Sequence, residues 1–358
     1  MSVPGWLPAW LLGGVLTTFA AVAVPCVQAT PHPDAGSPET SPASPLLLAG
    51  YLPDYRLGGY DLTRASGLSD LVYFSLTPAA DGSLAVDDRV EGHLRELRTA
   101  TRQMGVRLLV SLGGWGRSAS FPPLAADPVA RERLAAELLR LADRFDLDGF
   151  DLDWEHPAGV EQNRHAGELA QTLASRLRPR GLLLTAAVAE WQPLPRTFFD
   201  ALDRVHLMAY DAPGRHATVD YADAAIRRVI ARGVAPEKVL LGVPFYGRQI
   251  DPPRGALSWA ELLSRFQPPP GADEAGGYSF DSPETHTAKV ELVRKHRLAG
   301  VMVWELAQDT TAPRSLLANL LVQLGRTPPG LPAPPGTLPV CPRPAPDAPQ
   351  VDGGRSGP

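Results

Sequence analysis

Across residues 46–326, short apolar runs of strand length alternate with longer stretches in which apolar positions recur every three or four residues. The short runs predict strands at 46–52, 71–76, 107–112, 149–154, 182–188, 205–210, 239–243 and 300–304. The longer stretches predict helices at 87–104, 128–144, 164–178, 221–232 and 283–297, with another at 313–324 after the last strand. The first and fifth connections are shorter, and their helical pattern is weaker. Parallel strands need crossovers of this kind, so the alternation predicts an α/β fold, a single-domain (β/α)8 barrel. An open doubly wound sheet is the competing architecture. Neither a G-x-G-x-x-G turn nor a P-loop is present to support it.

The fourth strand breaks the apolar rule. It reads DGFDLDWEHP over 148–157, so that Asp151, Asp153 and Glu155 fall on one face by the two-residue period of a strand. Phe150, Leu152 and Trp154 make the other face apolar, as a strand buried on both sides requires. Three neighbouring carboxylates on a covered face repel one another and lose hydration, which is costly for a purely structural strand and typical of an active site. Asp148 lies off this parity at the strand start and reads as structural. In a barrel, chemistry gathers at the carboxyl ends of strands. Glu155 ends strand four, and Ser111 with the Gly113-Gly114-Trp115 turn ends strand three. Tyr210 and Asp211 end strand six, and Trp304 and Glu305 end strand eight.

Composition narrows the class. The chain has 358 residues, 44% hydrophobic and 20% charged, enough for one large core. A net charge of −5 without a basic, aromatic-interleaved patch argues against nucleic acid as a partner. Scattered histidines lack ligand spacing, so neither a metal nor another cofactor is expected. Residues 1–29 read as an export signal, uncharged and apolar over Trp6 to Val24 with a small-residue cleavage site at Val27-Gln28-Ala29. An uncleaved anchor is the alternative, because the run is near the minimum span of about 17 residues. The chain is therefore expected to be secreted, or exported to the cell envelope. Residues 30–45 and 327–358 are rich in proline and small polar residues and read as a linker and a tail without a core. Of the two cysteines, Cys26 falls in the export signal and Cys341 in the tail, so stability rests on the core.

DGFDLDWE, taken with SLGGWG at 111–116, MAYD at 208–211, GVPFYGR at 242–248 and GVMVWELAQD at 300–309, resembles the family 18 glycoside hydrolases, which include chitinases. Tyr51 in AGYLPDY matches the tyrosine of the family's first strand. The motifs keep the family's order through nearly all of 46–326.

The resemblance implies a retaining hydrolase of β-1,4-linked N-acetylglucosamine polymers or oligomers, acting as a monomer without an obligate protein partner. Glu155 becomes the general acid, and the substrate's acetamide becomes the nucleophile. Asp153 orients that acetamide, Asp151 is coupled to Asp153 and shares its proton, and Tyr210 donates to the acetamide oxygen. Tyr51 and Ser111 support Asp151, and Asp211 lies near the same sugar. Trp304 forms the floor beneath it. Trp115 either lines an outer subsite or packs on its loop. Tyr246 and Arg248 either bind sugar hydroxyls or, for Arg248, pair with a barrel carboxylate. His156 is expected to pack behind the acid, and His206 and Met208 to fill the barrel. Residues 249–299 have room for only a reduced insertion, with one small helix near 258–265, so a shallower groove is expected. Two other readings share the motif: an endo-β-N-acetylglucosaminidase of glycoprotein or peptidoglycan-type glycans, and a chitin-binding, lectin-like barrel. Glu155 is intact, which counts against the second.

Overall fold

The strands that the apolar runs predict close into one parallel barrel in a computed structural model that describes residues 45–251, 255–311 and 313–329. Seven come first in the chain: β1 (Leu47–Pro53), β2 (Asp70–Leu76), β3 (Arg107–Gly113), β4 (Gly149–Asp153), β5 (Leu183–Val188), β6 (Arg204–Leu207) and β7 (Val239–Pro244). Four short strands follow: β8 (Tyr246–Gln249), β9 (Ala256–Ser258), β10 (Glu274–Ala275) and β11 (Tyr278–Ser279). The barrel's last strand, β12 (Gly300–Trp304), pairs with both β1 and β7 and closes the ring. The expected export signal and almost all of the linker and tail lie outside the described residues.

Parity along each strand separates two cores. Leu48 and Leu52 face the helices, as do Phe150 and Leu152 on β4. Ala49 and Tyr51 point inward with Val72, Leu109, Leu240 and Met302. Asp151 and Asp153 share that inward parity and are buried, so the polar face of β4 is the barrel interior.

Nine helices are described: α1 (Asp88–Met104), α2 (Phe121–Ala126), α3 (Pro128–Phe145), α4 (Gly159–Leu177), α5 (Arg196–Ala201), α6 (Val219–Ala231), α7 (Trp259–Phe266), α8 (Pro283–Lys295) and α9 (Leu316–Gln323). Their starts are written in the sequence. Asp87, Asp127, Thr218, Ser282 and Ser315 each accept a hydrogen bond from a first-turn N–H, which satisfies donors that a helix leaves open. Helix α4 begins at Gly159, earlier than the predicted 164, because its first turn is polar and mostly exposed and carries no apolar rhythm. Strand six is shorter than predicted. Its ladder ends at Leu207, and Met208 to Tyr210 continue beyond it.

The stretch after β7 folds as a small antiparallel sheet of order β10-β11-β8-β9, joined by α7. Ser258 and Glu261 cap α7 reciprocally as a capping box. This is the reduced insertion that the spacing allowed. At the amino ends of the strands, buried Asp70 pairs with Arg107 at 2.5 Å and with Arg204. Asp148 belongs to the same end: it accepts from Leu108 N at 2.9 Å and Arg98 Nη1 at 2.8 Å, a structural role.

Candidate active site

The turn after β3 fixes the surroundings of the acids. Gly113 and Gly114 both have positive φ, of 91° and 96°. A Cβ on Gly113 would lie 2.6 Å from the Asp153 carbonyl, and one on Gly114 would lie 2.2 Å from Phe74. Only glycine lets the turn come this close. Gly114 N then donates to Asp153 O at 2.6 Å, and Ser118 Oγ accepts from Glu155 N at 3.0 Å. The two strand ends are tied together at the point where the acid emerges.

Asp151 sits at the centre of the barrel. It accepts from Tyr51 Oη at 2.8 Å and Ser111 Oγ at 3.2 Å on one oxygen, and from Thr185 Oγ1 at 2.5 Å on the other. His206 Nδ1 lies 3.2 Å from Asp151 Oδ1 and 2.7 Å from Tyr51 Oη. Tyr51 has one proton and gives it to Asp151, so Nδ1 must carry hydrogen to donate to either oxygen. Burial works to raise the Asp151 carboxyl. The hydrogen bond and charge of His206, with Thr185 and Tyr51, outweigh it and hold the group below the usual carboxylate range.

His206 and Thr185 therefore belong to the site. The expectation that His206 only fills the barrel is corrected: its neighbours are the hydroxyl and carboxylate of Tyr51 and Asp151. Register signals Thr185, because Ser111, Asp151 and Thr185 stand side by side across β3, β4 and β5.

Asp153 differs. It is buried, and its Oδ1 has no hydrogen-bond partner. Burial first, then the negative charges of Glu155 and Asp151, push its carboxyl well above the usual range. The charge of Glu155 acts on Asp153 ahead of that of Asp151, so the coupling expected between Asp151 and Asp153 extends to Glu155. Asp151 is already saturated by donors. Burial also raises Glu155. Its hydrogen bonds from Asp153 and from the Trp115 backbone oppose that shift, and the charge of Asp211 adds to it.

On the far side, Tyr246 Oη donates to Asp211 Oδ1 at 2.6 Å, and Arg248 grips both carboxylate oxygens, with Nη2 at 2.6 Å. Burial opposes ionisation of Asp211, but Arg248, His216 and Tyr246 hold it well below the usual range. Both residues considered for sugar hydroxyls thus have a protein carboxylate as partner. Tyr210 is nearly buried, its ring 6.2 Å from that of Tyr246. Burial and the surrounding acids raise its hydroxyl well above the ordinary tyrosine range, so it remains a donor. Trp304 lies half-buried against Phe74 and Tyr51, with ring centroids 4.7 and 5.6 Å away. Trp115 is 78% exposed and does not pack on its loop. His156 Nε2 is 3.6 Å from Glu155 Oε2. Among the described residues no group of three or more His, Cys, Asp or Glu is arranged to hold a metal ion.

These groups form a mouth with two adjacent carboxyls raised by burial, two carboxylates held by donors, a tyrosine hydroxyl and a half-buried indole. Such a set can donate a proton and stabilise positive charge on a bound ring.

Comparison with known proteins gives the same direction. Chitinase 1 of Aphanocladium album is 26% identical over 306 residues, covering 69% of this chain and 72% of that protein. Nod factor hydrolase protein 1 of Medicago truncatula is 28% identical over 275 residues, 59% of this chain and 71% of its own. A chitinase structure from Rhizomucor miehei aligns at a TM-score of 0.65 and 26% identity, over 77% of this chain and 99% of its own. One from Bacteroides thetaiotaomicron shares the fold at a TM-score of 0.70 and 21% identity, over 78% of this chain and 97% of its own. The model of the glycosyl hydrolases family 18 matches residues 48–309, from the first barrel strand past the last, and the chain belongs to that family of glycoside hydrolases.

Proposed function

We propose that the protein cleaves β-1,4 bonds of chitin and N-acetylglucosamine oligomers with retention, using the substrate's own acetamide as nucleophile. One observation carries the mechanism: Asp151 and Asp211, the carboxylates flanking Glu155 and Asp153, are each already held by protein donors and are not free to attack an anomeric carbon. Asp151 is enclosed by its donors, and Asp211 is gripped by Arg248 and Tyr246, while burial raises Asp153 and Glu155 above the usual carboxylate range. Relatives named as chitinases support the substrate class.

Glu155 gives its proton to the glycosidic oxygen as the C1–O bond breaks. The acetamide oxygen bonds to C1 and forms a cyclic oxazolinium ion, and Asp153 takes up the acetamide N–H and offsets the new positive charge. Tyr210 donates to the acetamide oxygen, and Trp304 underlies the ring. Water then attacks C1 and passes a proton back to Glu155, so the anomeric configuration is kept. An insoluble polymer is met outside the cell membrane, which is in keeping with export by the apolar start of the chain.

Proton NMR of fresh products tests the reading. The expected first product of a β-linked hexamer is the β-anomer, and a fully deacetylated chain should resist cleavage, since its amine cannot close the ring. An initial α-anomer, or rapid cleavage of the deacetylated chain, would overturn it.

A further inference from the structure

Three aromatic side chains stand more than half exposed among the described residues: Tyr55, Trp115 and Trp191, at 59, 78 and 53%. Each follows the carboxyl end of a barrel strand, β1, β3 and β5 respectively. Trp191 has no part in the chemistry above, and its loop does not need it for packing. Leu194 and Phe198, both buried, supply the apolar contacts of that segment.

The loop is nevertheless built to hold Trp191 outward. Its two chain neighbours are buried, Glu190 at 4% exposed and Gln192 at 1%. Glu190 accepts from Tyr221 Oη and Arg228 Nη1, each at 2.9 Å, and both donors come from α6. Gln192 Oε1 accepts from Ala189 N at 2.6 Å, and its carbonyl accepts from Arg232 Nη1 at 2.7 Å. An exposed indole between two anchored residues is preorganised, so a ligand stacking on it loses little to ordering the loop.

Position gives the ligand. The Trp191 ring meets His156 edge-on with centroids 4.8 Å apart, and His156 adjoins the acid Glu155. Strands β3 and β5 flank β4, so Trp115 and Trp191 stand on either side of Glu155. Trp304 comes from β12, which lies opposite β4 in the ring of strands. A sugar over Trp304 therefore occupies one side of the acid, and whatever lies beyond Glu155 belongs to the departing chain.

We infer that Trp191 is a sugar-stacking platform on the leaving-group side of Glu155, holding a unit of the departing N-acetylglucosamine chain. This rests on the chitin reading above. The flat C–H face of a β-linked hexosamine matches an indole, and the contact gives affinity for length without touching the reacting atoms.

The test compares two substrates in the Trp191→Ala and Trp191→Phe variants. One is the N-acetylglucosamine hexamer. The other is an aryl glycoside of the disaccharide, which places no sugar on the leaving side. Trp191→Ala should raise KM for the hexamer about tenfold, the scale of losing one apolar contact face, with kcat held within about twofold. Activity on the aryl glycoside should be unchanged, and Trp191→Phe should recover most of the hexamer affinity. Equal losses on both substrates, or an unchanged hexamer KM, would overturn the inference while leaving the chitin reading intact. A wild-type protein that cleaves neither substrate would overturn both.

Discussion

Asp151 receives hydrogen bonds from Tyr51, Ser111 and Thr185 and has His206 Nδ1 at 3.2 Å, whereas Asp153, two residues on, has a buried oxygen with no partner. The same carboxyl is thus held below its usual range at one position and pushed above it at the next, and neighbours alone make the difference. This arrangement sets the pH response of catalysis. Both Asp153 and Glu155 are raised, so their pair keeps a proton as pH rises, and activity should fall only when that last proton leaves. Glu155→Gln cannot supply the proton and should lose about 10²–10⁴-fold in kcat while still binding oligomers. Asp153→Asn should behave differently. Its amide can still contact the acetamide, so KM should hold, but the pair no longer shares a proton and the alkaline limb should move to lower pH. The charge that offsets the oxazolinium is also gone, and kcat should fall by about 10²–10³-fold. Steady-state kinetics on the hexamer across pH separates the two. A change confined to KM in Asp153→Asn would remove that residue from its role.

At the scale of elements, the carboxyl ends of the strands bury polar groups without full hydrogen bonding, and Glu305 after β12 is an example. It is buried, Oε2 accepts from Ala307 N at 2.8 Å, and Oε1 has only the Arg56 guanidinium at 3.4 Å, outside hydrogen-bonding geometry. Burial pushes its carboxyl up to about 7. A carboxyl raised on folding binds its proton more tightly in the native state, so its contribution to stability is full below pH about 4 and is lost as pH rises toward 7. Glu305→Gln keeps the acceptor for Ala307 and removes the charge. The variant should be more stable than wild type at pH 8, by up to about 3 kcal/mol, and nearly equal to it at pH 4. Urea unfolding at the two pH values checks this, and a parallel pH dependence in both proteins would refute it. Such burial could not be read from the sequence, although the strand itself could. Apolar runs and the i, i+2 parity of Asp151, Asp153 and Glu155 were legible because they depend on local period alone. Thr185 and His206 were not assigned to the site because their neighbours come from strand register and from contacts across the barrel interior. Glu190 and Gln192 lie in a loop, where no period marks them.

For the whole molecule, the two ends of the barrel divide stability from chemistry. The carboxyl end leaves polar groups unpaired around the acids, while the amino end is closed by charge pairs around Asp70, Arg107 and Arg204. Arg326, beyond the last helix, completes this closure. Its guanidinium donates to the carbonyls of Gly67 and Leu46 and, at 2.9 Å, to Ser69 Oγ, joining the end of the folded unit to its first strand and to the turn before the second. Burial lowers its pKa, yet the guanidinium remains charged at any physiological pH. Pro328 is buried as well, so the packed region extends past the predicted boundary at 326, and a neutral truncation should begin no earlier than 330. Arg326→Ala removes the guanidinium donor from two backbone carbonyls and from Ser69 Oγ, which keeps only the Leu48 N–H. Charged hydrogen bonds contribute about 1.5–3 kcal/mol each and do not add fully, so a loss of about 2–4 kcal/mol is expected, read as a fall of several degrees in Tm. Arg326→Lys should recover only part of this, because one ammonium cannot match the planar fork that reaches three acceptors. Activity per folded molecule well below Tm should be unchanged in both variants, since the acids lie at the opposite end of the strands. A variant that melts like wild type would show that the closure does not depend on Arg326. A variant that melts normally but loses kcat would show that the two ends are coupled.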